Sequence, residues 1–357
     1  MFLLGLILPL SYVPAVTDLD ILSGWIVLSL VLPWFFFHPL RLGVAHYLGL
    51  AFLGYAALSL LWAPVFAQGV WDLWQLALLA ACFCLGGSRD NLRPLYLGLA
   101  GGIAVNTALA IGQHFGWQPV YHNNSDYPAG LFFNPDMLGE SAALVSIALY
   151  SIGSFWPITL TLPAVFLSGG RAAMLSILVI VVIEGWKRSR AVTAIFAVAI
   201  LTTAYLDNHK TSSFAERIAL WEDTTSGLTP LGHGAGSFFM LYPAYASRTD
   251  TMATRPEDPH NDYLSLAFQY GLGATFVFAI LGIGLVASTP ARLILIAYGV
   301  ISLFSFPMRI PIEGLVGMVA LGQLCASSPL DGRICAYWRQ AGDAWRECFS
   351  SAGLSVE

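Results

Sequence analysis

Apolar runs of roughly sixteen to twenty residues follow one another along almost the whole chain, with one long polar interruption. A run of about 20 mostly apolar residues is what an α-helix needs to cross the hydrocarbon core of a bilayer. Candidate spans fall near 1–16, 19–37, 43–62, 69–86, 91–113, 137–151, 153–168, 172–186, 191–206, 265–287, 292–306 and 311–328. Glycine and Pro14, Pro39, Pro64, Pro119, Pro135, Pro290 and Pro311 punctuate the breaks. Only 10% of the 357 residues are charged, where soluble domains carry about 25%. The pattern predicts an all-α, polytopic integral membrane protein of about twelve transmembrane helices. One membrane domain over 1–357 accounts for the chain, with no soluble domain and no internal repeat. The opening MetPheLeuLeuGlyLeuIleLeuProLeu lacks a basic leading region and a small-residue cleavage site, so a first span is expected there and not a cleaved leader. Cys82, Cys84, Cys325, Cys335 and Cys348 show no metal-site spacing and no readable disulfide framework.

Lysine and arginine near span ends set the orientation. With both termini inside, the inner face holds Arg41, Arg89, Arg93, Lys187, Arg188, Arg190, Arg292, Arg333, Arg339 and Arg346, 10 of the 16 basic residues. The outer face holds Arg171, Lys210, Arg217, Arg248, Arg255 and Arg309. The polar interruption, 207–273, then faces outward, which in a bacterium is the periplasm. Its part 207–264 is expected to be a catalytic loop. Beyond Asp331, Ile334, Tyr337, Trp338, Ala341, Trp345, Cys348 and Phe349 recur at spacings of three and four. That predicts an amphipathic helix over 331–349 lying in the inner headgroup region.

The interruption gathers Arg217, His233, Arg248, Arg255 and His260. Arg171, in LeuSerGlyGlyArgAlaAlaMet, stands where a span begins at the outer face. A guanidinium there needs a partner, either water reached by snorkelling or an anion. Gly169 and Gly170 permit close backbone approach, and the helix start that follows favours negative charge. Ser213 and Glu216 fit a capping box, so a short helix is expected to start there. Phe214, Ile218 and Trp221 would share its membrane-facing side, with Arg217 pointing elsewhere. Local chemistry alone makes Arg217 a surface arginine paired with Glu216, Glu222 or Asp223. GlyHisGlyAlaGlySer at 232–237 follows no strand and lacks the lysine of a phosphate loop, so it reads as a tight turn with His233 in a supporting, structural role. In AspProHisAsnAspTyrLeu, Asp258 fits an N-cap and Pro259 the first helical position. His260 would then sit in a first helical turn, whose positive end keeps an imidazole neutral, as a general base requires. Asp262 and Tyr263 are candidate orienting partners. Arginines bind phosphate through a rigid fork of donors. Together with a base they suit transfer from a phosphate leaving group to a hydroxyl.

Five motifs in order, PheAsnProAspMetLeuGly, SerGlyGlyArgAlaAla, ArgIleAlaLeuTrp, ProLeuGlyHisGlyAlaGlySerPhe and ProHisAsnAspTyrLeu followed by TyrGlyLeuGly, cover about residues 130–285. They resemble the O-antigen ligase/O-antigen polymerase superfamily of bacterial membrane glycosyltransferases. The resemblance implies a glycosyltransferase-C-like helical fold with a periplasmic loop between late spans. It implies a polyprenyl diphosphate-linked glycan donor, a hydroxyl acceptor (lipid A–core, a glycan or a protein), and no metal or other cofactor. By motif, Arg171 and Arg217 would hold the donor diphosphate and His260 would activate the acceptor. Asp136 stands where an Asn is common in the family, and GlyGlyArgAla replaces the frequent SerArgGly.

The resulting expectation is an inverting, metal-independent glycosyltransferase of the bacterial inner membrane, of the O-antigen ligase type in lipopolysaccharide biosynthesis. Its partners would be donor, acceptor and membrane lipids, and no nucleic acid. A polysaccharide polymerase or protein O-oligosaccharyltransferase would share the chemistry. A lipid-linked glycan transporter is the alternative of another class, and would place ionisable groups near mid-span. Asp72, Glu140 and Glu184 fall near predicted ends instead.

Overall fold

A backbone in an apolar surrounding must bond its own N–H and C=O groups, and a helix does so within one segment. The structure, a computed structural model, describes residues 1–12, 19–36, 43–88, 91–118, 127–132, 134–206, 211–247, 256–287 and 289–328. Among them there is no strand. The helices are α1 (Phe2–Ile7), α2 (Leu19–Leu28), α3 (Val44–Ser59), α4 (Phe66–Ser88), α5 (Arg93–His114), α6 (Pro135–Ser151), α7 (Ile158–Leu167), α8 (Arg171–Gly185), α9 (Arg190–Leu206), α10 (Thr211–Ser226), α11 (Phe238–Leu241), α12 (Asp262–Tyr270), α13 (Ala274–Leu285), α14 (Ala291–Ser302) and α15 (Pro311–Ala326).

Each of the twelve predicted stretches contains helix, but twelve full crossings is not what the lengths show. Among the described residues three helices are long and apolar enough to cross a membrane: Phe66–Gly87, Arg93–His114 and Asp262–Leu285, the last made of α12, one 3₁₀ turn and α13. At about 1.5 Å per residue, 22 residues reach about 33 Å, enough for a core of about 30 Å. The apolar helices of 10 to 17 residues, among them α3, α7, α14 and α15, fall short of that by themselves. Proline explains part of the shortening. The helical stretch that begins with α2 tightens into a 3₁₀ helix, Ser29–Phe36, holding Pro33, and the helix at the N-terminus does the same around Pro9. The amphipathic tail at 331–349, Arg248 and Arg255 lie outside the described residues.

Large apolar side chains point outward, Leu3, Leu30, Leu61, Ile195 and Val198 among them, while Asn106, Gln113, Glu140, Asp262 and Glu313 are buried. That inside-out distribution suits a lipid surround. Where helices meet most closely, small residues remove the side chain in the way. A methyl on Gly86 of α4 would collide with the Val319 carbonyl of α15, and one on Gly322 of α15 with the Phe83 carbonyl of α4. Gly5 of α1 and Gly98 of α5 stand in the same reciprocal relation. These contacts fix α4 and α15 as a pair, and the turn between α14 and α15 is thereby held against α4.

Candidate active site

The site is assembled from four pieces: α4, the α10 helix, the segment 256–261 that leads into α12, and the turn 303–309 between α14 and α15. The segment 256–261 is fixed first by its own side chains. Asp258 Oδ1 accepts the backbone N–H of His260 at 3.1 Å, a local loop that competes with helix formation. Asn261, and not Asp258, is the N-cap of α12: its side chain accepts from Leu264 N at 3.1 Å, and its amide donates to Leu303 O at 3.3 Å. His260 therefore lies just before the helix and not in its first turn. It is the non-glycine residue with a positive φ among those described, at 52°. That left-handed conformation costs about 1–2 kcal/mol for an ordinary residue, so the surrounding bonds must hold it.

The neutrality expected of His260 is what the structure gives, for a different reason. Burial and then the Arg217 guanidinium push its pKa down from 6.5 to about 4, partly offset by the Asp136 carboxylate. The imidazole lies against Phe306, ring centres 5.0 Å apart. Among the described residues no protein group bonds either ring nitrogen, which leaves both for a ligand.

Helix α10 begins at Thr211, two residues before the expected cap, so Ser213 is inside it. Arg217 and Trp221, four apart, share the face turned toward the protein. Arg217 Nη1 donates to Phe304 O at 2.7 Å, and Trp221 Nε1 donates to Pro259 O at 2.9 Å. Ile218 is exposed on another side. The expectation that Trp221 faces the membrane while Arg217 points away is thus corrected, as is the pairing of Arg217 with Glu216, Glu222 or Asp223. Among the described residues Arg217 has no carboxylate within ion-pair distance.

Arg309 is the opposite case. Its Nη1 lies 2.9 Å from Asp72 Oδ1 and its Nε 3.3 Å from Asp258 Oδ2. Tyr270 donates its hydroxyl to the other oxygen of Asp72, and Ser265 donates to Asp258 Oδ2 at 3.0 Å. Burial raises the Asp258 pKa and Arg309 pulls it back. Burial also works against the Arg309 charge, yet Asp72 and Asp258 more than compensate and raise its pKa. The sequence reading missed this cluster. Its signal was present: Asp72 lies inside an apolar run, and Arg309 is an outer basic residue against the charge bias.

A cleft of about 580 Å³ opens between α2, α4, the turn before α11, the His260 segment and the 303–309 turn. His260, Asp258, Arg309 and Phe306 line it, with Gln68, Trp71 and Gln75 of α4 opposite. Arg171 and Arg217 do not line it. Arg171 opens α8 as expected, after Gly169 in the left-handed region at φ 63°. Asp136 connects it to the site: its Oδ1 lies 3.5 Å from where a Cβ of Gly170 would sit, and its charge acts on His260. So the structure brings Arg217 beside His260, and places the turn carrying Arg171 next to Asp136.

Asp262 and Tyr263 do other work than foreseen, while His233 has the structural role expected of it. Asp262 Oδ2 accepts from Ser302 Oγ at 3.2 Å and from Met308 N at 3.1 Å. Tyr263 donates to Gly299 O at 3.2 Å. Neither orients the His260 ring; both tie the 299–308 stretch to α12. His233 Nε2 meets Gly227 O at 2.7 Å and its ring packs on Phe268. In the 232–237 turn, Gly234 N, Ala235 N and Gly236 N donate to Gln269 O, Ser59 Oγ and Gln269 Oε1. Those N–H groups are thus committed to protein, and the turn is no phosphate cradle. Neither a protein-family model nor a curated protein matches the chain, and the geometry of these residues is what bears on its chemistry.

Proposed function

We propose that the chain is a membrane glycosyltransferase that moves a glycan from a polyprenyl diphosphate to a hydroxyl acceptor, with His260 as general base. One observation carries this reading. A neutral imidazole, its ring nitrogens unbonded by protein among the described residues, faces a roomy cleft and stands beside a guanidinium that has no carboxylate partner there. An Arg with free N–H groups binds a diphosphate through charge-assisted bonds. Arg217 serves the donor diphosphate in this reading, and Arg171 assists from the next turn.

In the reaction His260 takes the proton of the acceptor hydroxyl. The oxygen attacks the anomeric carbon from the side opposite the diphosphate, the bond between that carbon and the diphosphate oxygen breaks, and the diphosphate leaves with the electron pair. The product is inverted at that carbon. Arg217 stabilises the charge that develops on the leaving group, a preorganised electrostatic effect. The remaining apolar helices would complete the membrane domain of about twelve spans, with the cleft on the periplasmic side of a bacterial inner membrane. The acceptor is lipid A–core in a ligase, another lipid-linked glycan in a polymerase, a serine or threonine in a protein glycosylase.

Loss of a positioned base costs about 10²–10⁴ in rate. Purified His260→Ala, given a lipid-linked oligosaccharide and acceptor, should release polyprenyl diphosphate at least a hundredfold more slowly; release at the parental rate removes His260 from the mechanism.

A transporter of lipid-linked glycan is the second reading, favoured by buried carboxyls. Glu140 bonds Ser305 at 2.7 Å and Glu313 bonds Ser141 at 3.0 Å, both inside the helix bundle. They sit within the first two turns of α6 and α15 and not at mid-helix. Reconstituted vesicles distinguish the two: a transporter moves the intact lipid-linked glycan across without releasing polyprenyl diphosphate.

A further inference from the structure

The wall of the cleft opposite His260 is built differently from the arginine side. Gln75 of α4 lines it and is only 6% exposed. Its carboxamide bonds no protein group among the described residues, and its oxygen and nitrogen are not among the fully buried unpartnered atoms, so the amide is open to the cleft. An amide already bonding no protein group is available to a ligand.

Around Gln75 the lining combines flat rings with hydrogen-bonding groups. Trp71 lies one turn away on the same helix, Phe239 is exposed at the rim, and Phe306 backs the His260 ring. Gln68 is exposed two turns from Gln75 on the same helix, and Glu257 stands exposed across from it. A carboxamide both donates and accepts, as a hydroxyl does. A pyranose presents an apolar C–H face to a ring and hydroxyls around its edge, so rings beside amides and a carboxylate match it. The volume is in the range of small-ligand sites, about 300–1,000 Å³.

Charge narrows the class further. Asp258 and Glu257 line the cleft with the single Arg309 guanidinium, whose charge is also shared with Asp72, outside the lining. A phosphate or carboxylate entering here meets net negative charge in a partly desolvated cleft. Arg217, the cation without an acid partner, does not line it.

We infer that this cleft holds the acceptor, and that the acceptor's reacting end is an uncharged sugar, seated on Trp71 and Gln75 with one hydroxyl toward His260. The inference rests on the glycosyl-transfer reading and selects within it: a neutral glycan terminus over a phosphorylated core or a peptide hydroxyl.

The test is ligand-observed binding to the full chain in nanodiscs. The probes are neutral disaccharides of hexose, N-acetylhexosamine and 6-deoxyhexose type, the same sugars bearing a 6-phosphate where they have a 6-hydroxyl, and a serine-containing peptide. At least one neutral disaccharide should saturate, with its phosphorylated counterpart or a phosphorylated hexose and the peptide at least tenfold weaker. Gln75→Leu keeps the bulk and removes an amide that bonds no protein group. It should weaken the sugar about tenfold, the worth of one hydrogen bond, without lowering the thermal unfolding midpoint. Gln68→Ala, at an exposed position, should weaken it several-fold. The assignment is overturned if no neutral disaccharide saturates, if the phosphorylated sugar or the peptide binds as tightly, or if Gln75→Leu binds like the parent or loses binding only with a lowered midpoint. Sugar binding without transfer would leave the cleft assigned and remove the transferase reading. Transfer at full rate to phosphorylated acceptors alone would do the reverse.

Discussion

Two arginines act on the His260 segment, and they are held in opposite ways. Arg309 is gripped by Asp72 at 2.9 Å and Asp258 at 3.3 Å, and Asp258 in turn holds the His260 backbone. Arg217 gives one N–H to the Phe304 carbonyl and has no acid partner among the described residues, while its charge adds to the effect of burial in lowering the His260 pKa. A guanidinium neutralised by two carboxylates has little attraction left for an anion, however prominent it is in a cleft. One that has only a carbonyl partner keeps its charge for a ligand. The cleft-lining arginine is therefore the structural one, and in the proposed reaction the arginine set back from it is the one left to meet the diphosphate.

The widest separation between the two should come from stability. Arg309→Met strands Asp72 and Asp258 without a cation, and breaking a buried pair from one side costs about 3–5 kcal/mol. Arg217→Ala removes one partly exposed hydrogen bond and should cost about 1 kcal/mol or less. Thermal unfolding of both purified variants in the same detergent checks this. Equal midpoints would show that the ion cluster is not what holds the His260 segment.

Function should reverse that order. A charge-assisted bond contributes about 1.5–3 kcal/mol, so Arg217→Ala should lower kcat/KM for the lipid-linked donor by roughly 10- to 100-fold. Its pH dependence carries a second signature. With His260 titrating at about 4, the parental rate is flat above that pH and falls as the imidazole protonates below it. Arg217 lowers this pKa, so its removal lets it rise toward the ordinary 6.5 and moves the acid limb upward. A kcat/KM profile with the limb unmoved would mean that Arg217 and His260 do not sense each other.

The helical class and the position of nearly every helix were legible because apolar runs leave the backbone no other way to bond itself. Among the described residues three helices reach a crossing length by themselves, and Pro9 and Pro33 tighten two further stretches that composition alone makes continuous. His260 was found by its neighbours Asp258 and Pro259, but the cap was assigned to Asp258 and not to Asn261. Asp and Asn both cap helices well, and only the structure shows that Asp258 closes onto His260 N while Asn261 caps Leu264. Gln75 and Trp71 were invisible for a plain reason. A glutamine and a tryptophan inside an apolar stretch carry no local sign of facing a cleft. The Asp72–Arg309 pair joins residues 237 positions apart, and no spacing rule within the sequence connects them.

The smallest effect asks how α10 serves both sides of the comparison. Trp221 donates to Pro259 O at 2.9 Å and packs its ring 6.1 Å from Phe304, the residue whose carbonyl receives Arg217. Trp221→Phe keeps a ring there and deletes one hydrogen bond, worth about 0.5–1.5 kcal/mol. That is comparable to the cost of the left-handed backbone at His260, about 1–2 kcal/mol. The variant should therefore release part of the segment from its reactive conformation and lower kcat by roughly 2- to 10-fold. If α10 merely clamps His260, the donor KM stays at its parental value. If donor KM rises with the fall in kcat, Arg217 has shifted along with Trp221 one turn away. The helix would then position cation and base as one body, while Arg309 keeps its place through α4.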